Sequence, residues 1–374
     1  MKKIILCLTI AVVFVFEAEV YAQVKQTGAQ ILRTARSIYD QGRLHELPTF
    51  LEDHLNAHDF QSDVETVEAY KILVLTYIYL EEPEKADAAM QHILETDNFF
   101  EPNLSDPIEF KNLYGKFQSD PVFKFGLKVG GNFTEVNTIA VHYIPSQSQG
   151  FGKYTPNFGF NIIGTFEKRI KATQIILNPE LNFVTQSFTY SNESVFFDDR
   201  DLSSNGDSEV TSETAIIENR ISHTRLQINA LVQYEFAKPN GKEYKNIPFI
   251  PYVTVGPSAG YLLSSTFDGL VTFEDRFEVA GAIDNKENYK PINLSVIAGA
   301  GAKLKMGPIL LNADFRLQIG LFNIVDENNR SKNTPVNNRL RSDFMYTNND
   351  FSVRQAMFNV GIIYPFFQPK KLIK

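Results

Sequence analysis

Two periodicities divide this chain. Between residues 27 and 118 large apolar side chains recur every three or four positions, and from Phe123 onward they recur every second position. In the first part, Tyr70, Leu73 and Tyr77 would line one side of a helix and Ala86 and Met90 a second, with Glu82-Pro83 turning between them. Ile31, Ala35, Ile38, Leu44, Leu47 and Leu51, interrupted by Gly42, predict an earlier helical pair. A further helix is expected from Asp106 to Phe117, opened by Ser105 as N-cap with Pro107 in the first turn. Ser119-Asp120-Pro121 breaks the pattern, and the domain boundary is expected there.

The second part predicts eight strands. Phe123, Phe125, Leu127, Val129 and Phe133 alternate with Lys124, Gly126, Lys128, Gly130 and Asn132, and similar alternations begin near Phe158, Ile175, Leu226, Val253, Leu294 and Leu311. The last, from Phe351 to Phe367, places Ala356, Phe358, Val360, Ile362, Tyr364 and Phe366 on one wholly apolar face. A terminal strand of this kind needs a partner, and Phe123 to Phe133 is the expected one, which would close the strands into a barrel. Connections alternate in length. Short ones are expected at 168–173, 237–247 and 306–309, and long polar ones at 141–155, 194–222, 267–290 and 326–350. In outer-membrane barrels the short turns face the periplasm.

The charges decide which face meets lipid. Lys128, Glu167, Glu180, Arg225, Glu235, Lys303, Asp314 and Arg316 all stand opposite the aromatic face. A lysine or arginine facing lipid at mid-bilayer would cost about 2–4 kcal/mol, so the charged face is expected inside. Eight strands leave an interior about filled by its own side chains, so a lumen charge network of Lys128, Glu180, Arg225, Asp314 and Arg316 is expected rather than an open pore.

Composition narrows the setting. The chain has 31 Phe, 16 Tyr and no Trp, a net charge of -8 and no basic block, which argues against nucleic acid. Residues 1–22 read as a secretory signal, with Lys2 and Lys3 before the apolar run from Ile4 to Phe16. The one cysteine, Cys7, lies in that run, so disulfides and thiolate chemistry are not expected after processing. No later stretch is apolar for eighteen residues, so a membrane would have to be crossed by strands.

The helical spacing resembles that of a tetratricopeptide hairpin, although Val74 stands where that repeat carries glycine. Residues 121–367 resemble the porin-like outer-membrane β-barrel family (PorT type) of Bacteroidetes-type bacteria. The resemblance rests on Gly126-Leu127-Lys128-Val129-Gly130-Gly131-Asn132, on Pro251-Tyr252 with Gly256-Pro257 and Gly260-Tyr261-Leu262, and on Ala313-Asp314-Phe315-Arg316 followed by Gly320-Leu321-Phe322-Asn323-Ile324. It implies an outer-membrane barrel in contact with lipid. The ending is similar to the signal read by the barrel-assembly machinery, carried here by Asn359, Gly361, Tyr364 and Phe366.

Candidate chemistry is sparse. Gly256-Pro257-Ser258-Ala259-Gly260 has the spacing of a nucleophile elbow but falls within a strand, where the serine would not be exposed on a turn. His54 and His58 could share a helix face as a metal pair, yet the glutamate of a zinc protease is missing. His142 and His223 flank outer loops and could meet at a rim active site, without any paired serine or carboxylate in evidence. Asp198, Asp199, Asp201, Asp207, Glu209 and Glu213 make one loop acidic without calcium-loop spacing. Ala298 to Ala302 lacks the third glycine of a dinucleotide site.

These readings give an α+β multidomain chain, with N-terminal tetratricopeptide-like hairpins followed by an eight-stranded antiparallel up-and-down transmembrane β-barrel. The expected divisions are a signal at 1–22, a periplasmic helical domain at 23–120, the barrel at 121–367 and a periplasmic tail at 368–374. The expected role is a non-enzymatic outer-membrane anchor, without cofactor or metal, whose residues 23–120 dock a protein partner of an envelope or secretion complex. The competing expectations are an enzyme acting on lipid or peptide at the outer rim and a small-solute channel.

Overall fold

A computed structural model describes residues 26–118, 120–142, 152–170, 173–200, 210–236, 249–279 and 281–372. The signal expected at 1–22 lies outside them. The chain divides into two units: residues 120–367, and the preceding helices together with the residues after 367.

The helical unit contains α1 (Gly28–Asp40), a 3-10 turn (Leu44–Glu46), α2 (Leu47–Asn56), α3 (Asp63–Tyr79), α4 (Pro83–Thr96) and α5 (Ile108–Tyr114). Thr27 and Gln30 form a capping box that opens α1, and Ser62 caps α3 by accepting from Glu65 N. Helix α3 is buried on most sides, through Val67, Ala69, Ile72, Leu73, Val74 and Tyr77, because the other helices pack around it. Fully burying a side chain of this size stabilises by about 1.5–3 kcal/mol, so these short helices depend on packing more than on propensity.

Two expectations are corrected here. Helix α5 begins only after Pro107, and Ser105 does not cap it; Asp106 instead accepts from Asn103 N at 2.8 Å and pairs with Lys71 at 2.6 Å. The segment after 367 is more than a tail. Lys370-Lys371 form β12, which pairs antiparallel with β1 (Phe117–Gln118), and Lys371 forms an ion pair with Asp87.

The other unit is built on eight long strands: β2 (Phe123–Ala140), β3 (Lys153–Arg169), β4 (Ile175–Arg200), β5 (Val210–Glu235), β6 (Phe249–Thr272), β9 (Ile292–Met306), β10 (Ile309–Gly320) and β11 (Asp350–Phe366). Short pieces β7 (Phe277–Val279) and β8 (Ile283–Asp284) lie beside β6. Each long strand pairs antiparallel with the long strand before it and the one after it, and β11 pairs with β2 from Phe351↔Thr138 to Phe366↔Phe123, so the cycle of pairings returns to its start.

Polarity across the wall is reversed relative to a water-soluble barrel. Leu181, Ile228, Phe315, Leu317 and Phe358 point outward and are about half exposed or more, while Glu180, Gln227, Asp314, Arg316 and Asn359 point inward and are buried. Toward the long-loop end the pattern inverts within the same strands. On β5, Ala215, Ile217 and Ile221 are buried while Thr214, Glu218 and Arg220 face out. The inversion falls near His223, where β6 carries a bulge: Thr224 pairs with Ser264 but Arg225 pairs with Leu262.

Two long connections therefore differ from expectation. The span 194–222 is mostly ladder, continuing to Arg200↔Val210. The span 326–350 contains α6 (Glu327–Arg330) and α7 (Pro335–Phe344), the latter capped by Thr334 with Pro335 at its first position. Leu340, Phe344, Tyr346, Tyr289, Ile324 and Val325 join Phe188, Phe267 and Phe351 in one apolar core that fills the barrel's outer end.

Candidate functional site

The barrel interior is layered. Nearest the short turns, Lys303 Nζ lies 2.6 Å from Glu167 and 2.8 Å from Glu235, Lys124 lies 3.5 and 3.3 Å from the same two carboxylates, and Arg169 also pairs with Glu235. One layer further in, Arg316 grips Glu180 with two nitrogens, at 2.5 and 2.9 Å, and its Nε donates to Asp314 at 2.8 Å. Lys128 lies 3.2 Å from Glu180 and 3.3 Å from Asp314. Tyr252 Oη, Asn312 Nδ2 and Asn359 Nδ2 also donate to Asp314, at 3.1, 3.1 and 2.6 Å. Bidentate geometry and added hydrogen bonds are what let buried ion pairs offset the cost of leaving water.

Four of the five residues expected in the lumen network, Lys128, Glu180, Asp314 and Arg316, therefore meet in one cluster. Arg225 does not join them. It sits in the next layer, an amide-rich one, bonding Gln186 and Asn293. In that layer Gln186 Nε2 donates to Gln355 at 2.9 Å, and Gln355 Nε2 donates to Asn132 at 3.2 Å. Lys124 and Arg169 were missed by the sequence reading, although each stands on the inward face of its strand, near Lys128 and Glu167 in turn.

Of the closing-strand residues, Tyr364 and Phe366 face outward, and Phe366 stacks on Phe123 with ring centres 4.8 Å apart. Asn359 points inward to the ion cluster, and Gly361 lies against Lys128, where a Cβ would come within 2.6 Å of the Lys128 Cα.

The remaining candidates are scattered. Ser258 is buried inside β6, with no turn or helix following it. His54 bonds Asp59 at 2.8 Å, whereas His58, with φ of 55°, bonds the Asn56 carbonyl at 3.0 Å. His142 Nε2 lies 3.0 Å from Asp350, while His223 is fully buried between the rings of Phe188 and Tyr289. Asp201, Asp207 and Glu209 of the acidic stretch lie outside the described residues; Asp198, Asp199 and Glu213 belong to the β4–β5 ladder. Ala298 to Ala302 is strand β9. Among the described residues no group of three or more His, Cys, Asp or Glu is arranged to hold a metal, and no helix is long and apolar enough to cross a membrane.

The helical unit has its own recess, of about 240 Å³, lined by Glu52, Leu55, Tyr70, Tyr77, Lys85 and His92 among others. Tyr70 stacks on His92 with ring centres 5.0 Å apart, and the Tyr77 hydroxyl donates to Glu52. Leu73 and Tyr77 are core residues, as their spacing predicts; Tyr70 is half-buried and also lines an adjoining recess.

The family described as "Outer membrane protein beta-barrel domain" matches residues 118–326, more than half of the chain. The chain belongs to that family. Its outward face is apolar and its inward face charged, the polarity described above for the strands. No curated protein matches it. Among solved structures it is similar to the outer membrane protein OprG of Pseudomonas aeruginosa, with 14% identity over 67% of this chain and 98% of that one and a TM-score of 0.29. It is similar also to a major outer membrane protein of Thermus thermophilus, with 13% identity over 65% and 98% and a TM-score of 0.30. The N-terminal β-barrel domain of Pseudomonas aeruginosa OprF gives 10% identity over 64% and 97% and a TM-score of 0.21.

Proposed function

We propose that this outer-membrane barrel is a non-enzymatic anchor whose lumen does not conduct and whose helical unit, on the periplasmic side, docks a protein partner of an envelope complex. The observation that carries the reading is the filled interior. Lys128, Lys303, Glu167 and Glu180 have side chains at 0% exposure, and the outer end holds a packed apolar core, so the interior is built for stability more than for passage. Scattered histidines and a strand-bound Ser258 offer no assembled catalytic group, which favours a binding role over an enzyme.

The helical unit supplies a surface suited to docking. Its recess presents aromatic faces at Tyr70 and His92, an anion at Glu52 and a cation at Lys85, a mixture that suits an extended peptide or a partner helix. The reading favours membership of the PorT-type branch, with tetratricopeptide-like hairpins as the adapter. Insertion would use the barrel-assembly machinery, with Tyr364 and Phe366 as the outward-facing part of the signal.

Chemical crosslinking and pull-down with the intact protein and with residues 23–120 deleted tests the adapter. Every crosslinked partner should vanish on deletion; partners retained by the barrel alone would overturn the reading. Planar-bilayer recording tests the lumen, where a steady ion conductance would favour a channel.

A further inference from the structure

Lys124, Lys128, Arg169, Arg225, Lys303 and Arg316 point into the barrel interior beside the carboxylates of Glu167, Glu180, Glu235 and Asp314. Five of the cations touch a carboxylate. Arg225 does not. Its side chain is fully buried; Nε donates to Gln186 Oε1 at 3.2 Å, Nη1 to Asn293 Oδ1 at 3.5 Å, and Nη2 has no hydrogen-bond partner. A guanidinium cannot escape this position by losing its proton, and a buried charge without a counter-charge is strongly unfavourable.

The groups around Arg225 bring further N–H donors, one of them from the neutral imidazole of His223, and no compensating anion. Asn293 Nδ2, Gln227 Nε2 and both ring nitrogens of His223 are buried without hydrogen-bond partners. Strand geometry gathers them. His223 and Gln227 flank Arg225 on the inward face of β5, and Gln227, Gly260 and Asn293 lie side by side across β5, β6 and β9. Gly260 is needed for this row: a Cβ there would come within 2.3 Å of Asn293 Oδ1 and 3.3 Å of Gln227 Cγ. Phe188 and Tyr289 press on His223 from the apolar side, and the carboxylates of the ion clusters are committed elsewhere.

We propose that Arg225, with Asn293, Gln227 and His223, forms a buried halide site that holds one chloride ion as the counter-charge that Arg225 lacks. The ion is enclosed as the barrel forms, so its binding is read during refolding. The full mature chain is unfolded in urea and refolded into detergent micelles in sodium chloride, sodium bromide or sodium gluconate at equal ionic strength. The thermal midpoint should be higher in either halide than in gluconate by roughly 3–10 °C, the shift expected of a millimolar site that is well occupied. Arg225→Gln should lose that difference and, in gluconate, should melt no lower than the native chain. Equal midpoints of the native protein in chloride and gluconate would overturn the site, as would an undiminished halide effect in the variant. Should the variant not fold, bromide-grown crystals of the native protein decide. An anomalous peak within about 3.5 Å of Arg225 Nη2 supports the site, and its absence there refutes it.

Discussion

The inner and outer halves of the barrel share strands, alternation and hydrogen-bond ladder, yet their chemistry is opposite. In the inner half β5 shows Leu226, Ile228 and Val232 to the outside and Arg225, Gln227 and Asn229 to the inside; in the outer half Glu218 and Arg220 face out while Ile217 and Ile221 face in. The pleat is the same, so what differs is the surrounding solvent. Where the outside is lipid, apolar groups satisfy the wall and the interior must pair its own charges. Where the outside is water, the interior becomes an ordinary hydrophobic core. We place the outer edge of the hydrocarbon at the crossing point near His223, the level at which β6 carries its bulge.

The sharpest way to break this contrast is to unpair the inner half. Glu180→Ala would leave Arg316 and Lys128 to share Asp314 alone, one carboxylate for two buried cations, and the barrel should lose about 3–5 kcal/mol in urea unfolding followed by gel mobility. In the outer half the equivalent injury is a cavity. Phe344→Ala should cost about 3 kcal/mol, read as new protease cleavage between residues 326 and 349 while the ladder stays intact. Charge on the outer surface then separates the halves directly. Leu181→Arg should cost about 2–4 kcal/mol in lipid vesicles, whereas Glu218→Arg should stay within about 0.5 kcal/mol, and equal effects would remove the proposed boundary.

The smallest effect concerns the helical unit, which like the outer half is wet outside and dry within. Burial, and then the neighbouring Tyr79, push the Tyr39 hydroxyl up to about 12, and burial, followed by the bond to Glu52, raises that of Tyr77. Unfolded tyrosines ionise near pH 10. Both groups thus support folding fully below that pH, and their contribution fades as alkali ionises first the unfolded chain and then, for Tyr39, the folded one near pH 12. Helical circular dichroism should decline across this window, and an unchanged signal to pH 12 would count against it.

The eight spans were legible because lipid demands an apolar outer face, and aromatic alternation such as Phe123 to Phe133 is hard to mistake. The outer ladder was not. Its outward residues, Thr214, Glu218 and Arg220 among them, are those of loops, and they hid an alternation that Ala215, Ile217 and Ile221 still carry on the other face. Helix α7 left a readable trace in Thr334-Pro335 with Leu340 and Phe344 one turn apart. That Arg225 points inward follows from phase alone. Its separation from the carboxylates depends on how strands are staggered around the barrel, which a single strand's pattern does not encode.

The pairing of Lys370-Lys371 with Phe117-Gln118 sets an order of events. A chain exported from its N-terminus delivers the helices first, and they can collapse on α3 at once. Their last ladder must wait for residues that follow every membrane strand, so the unit made earliest is completed latest. Until then β1 is an open edge, its backbone donors and acceptors covered by no strand.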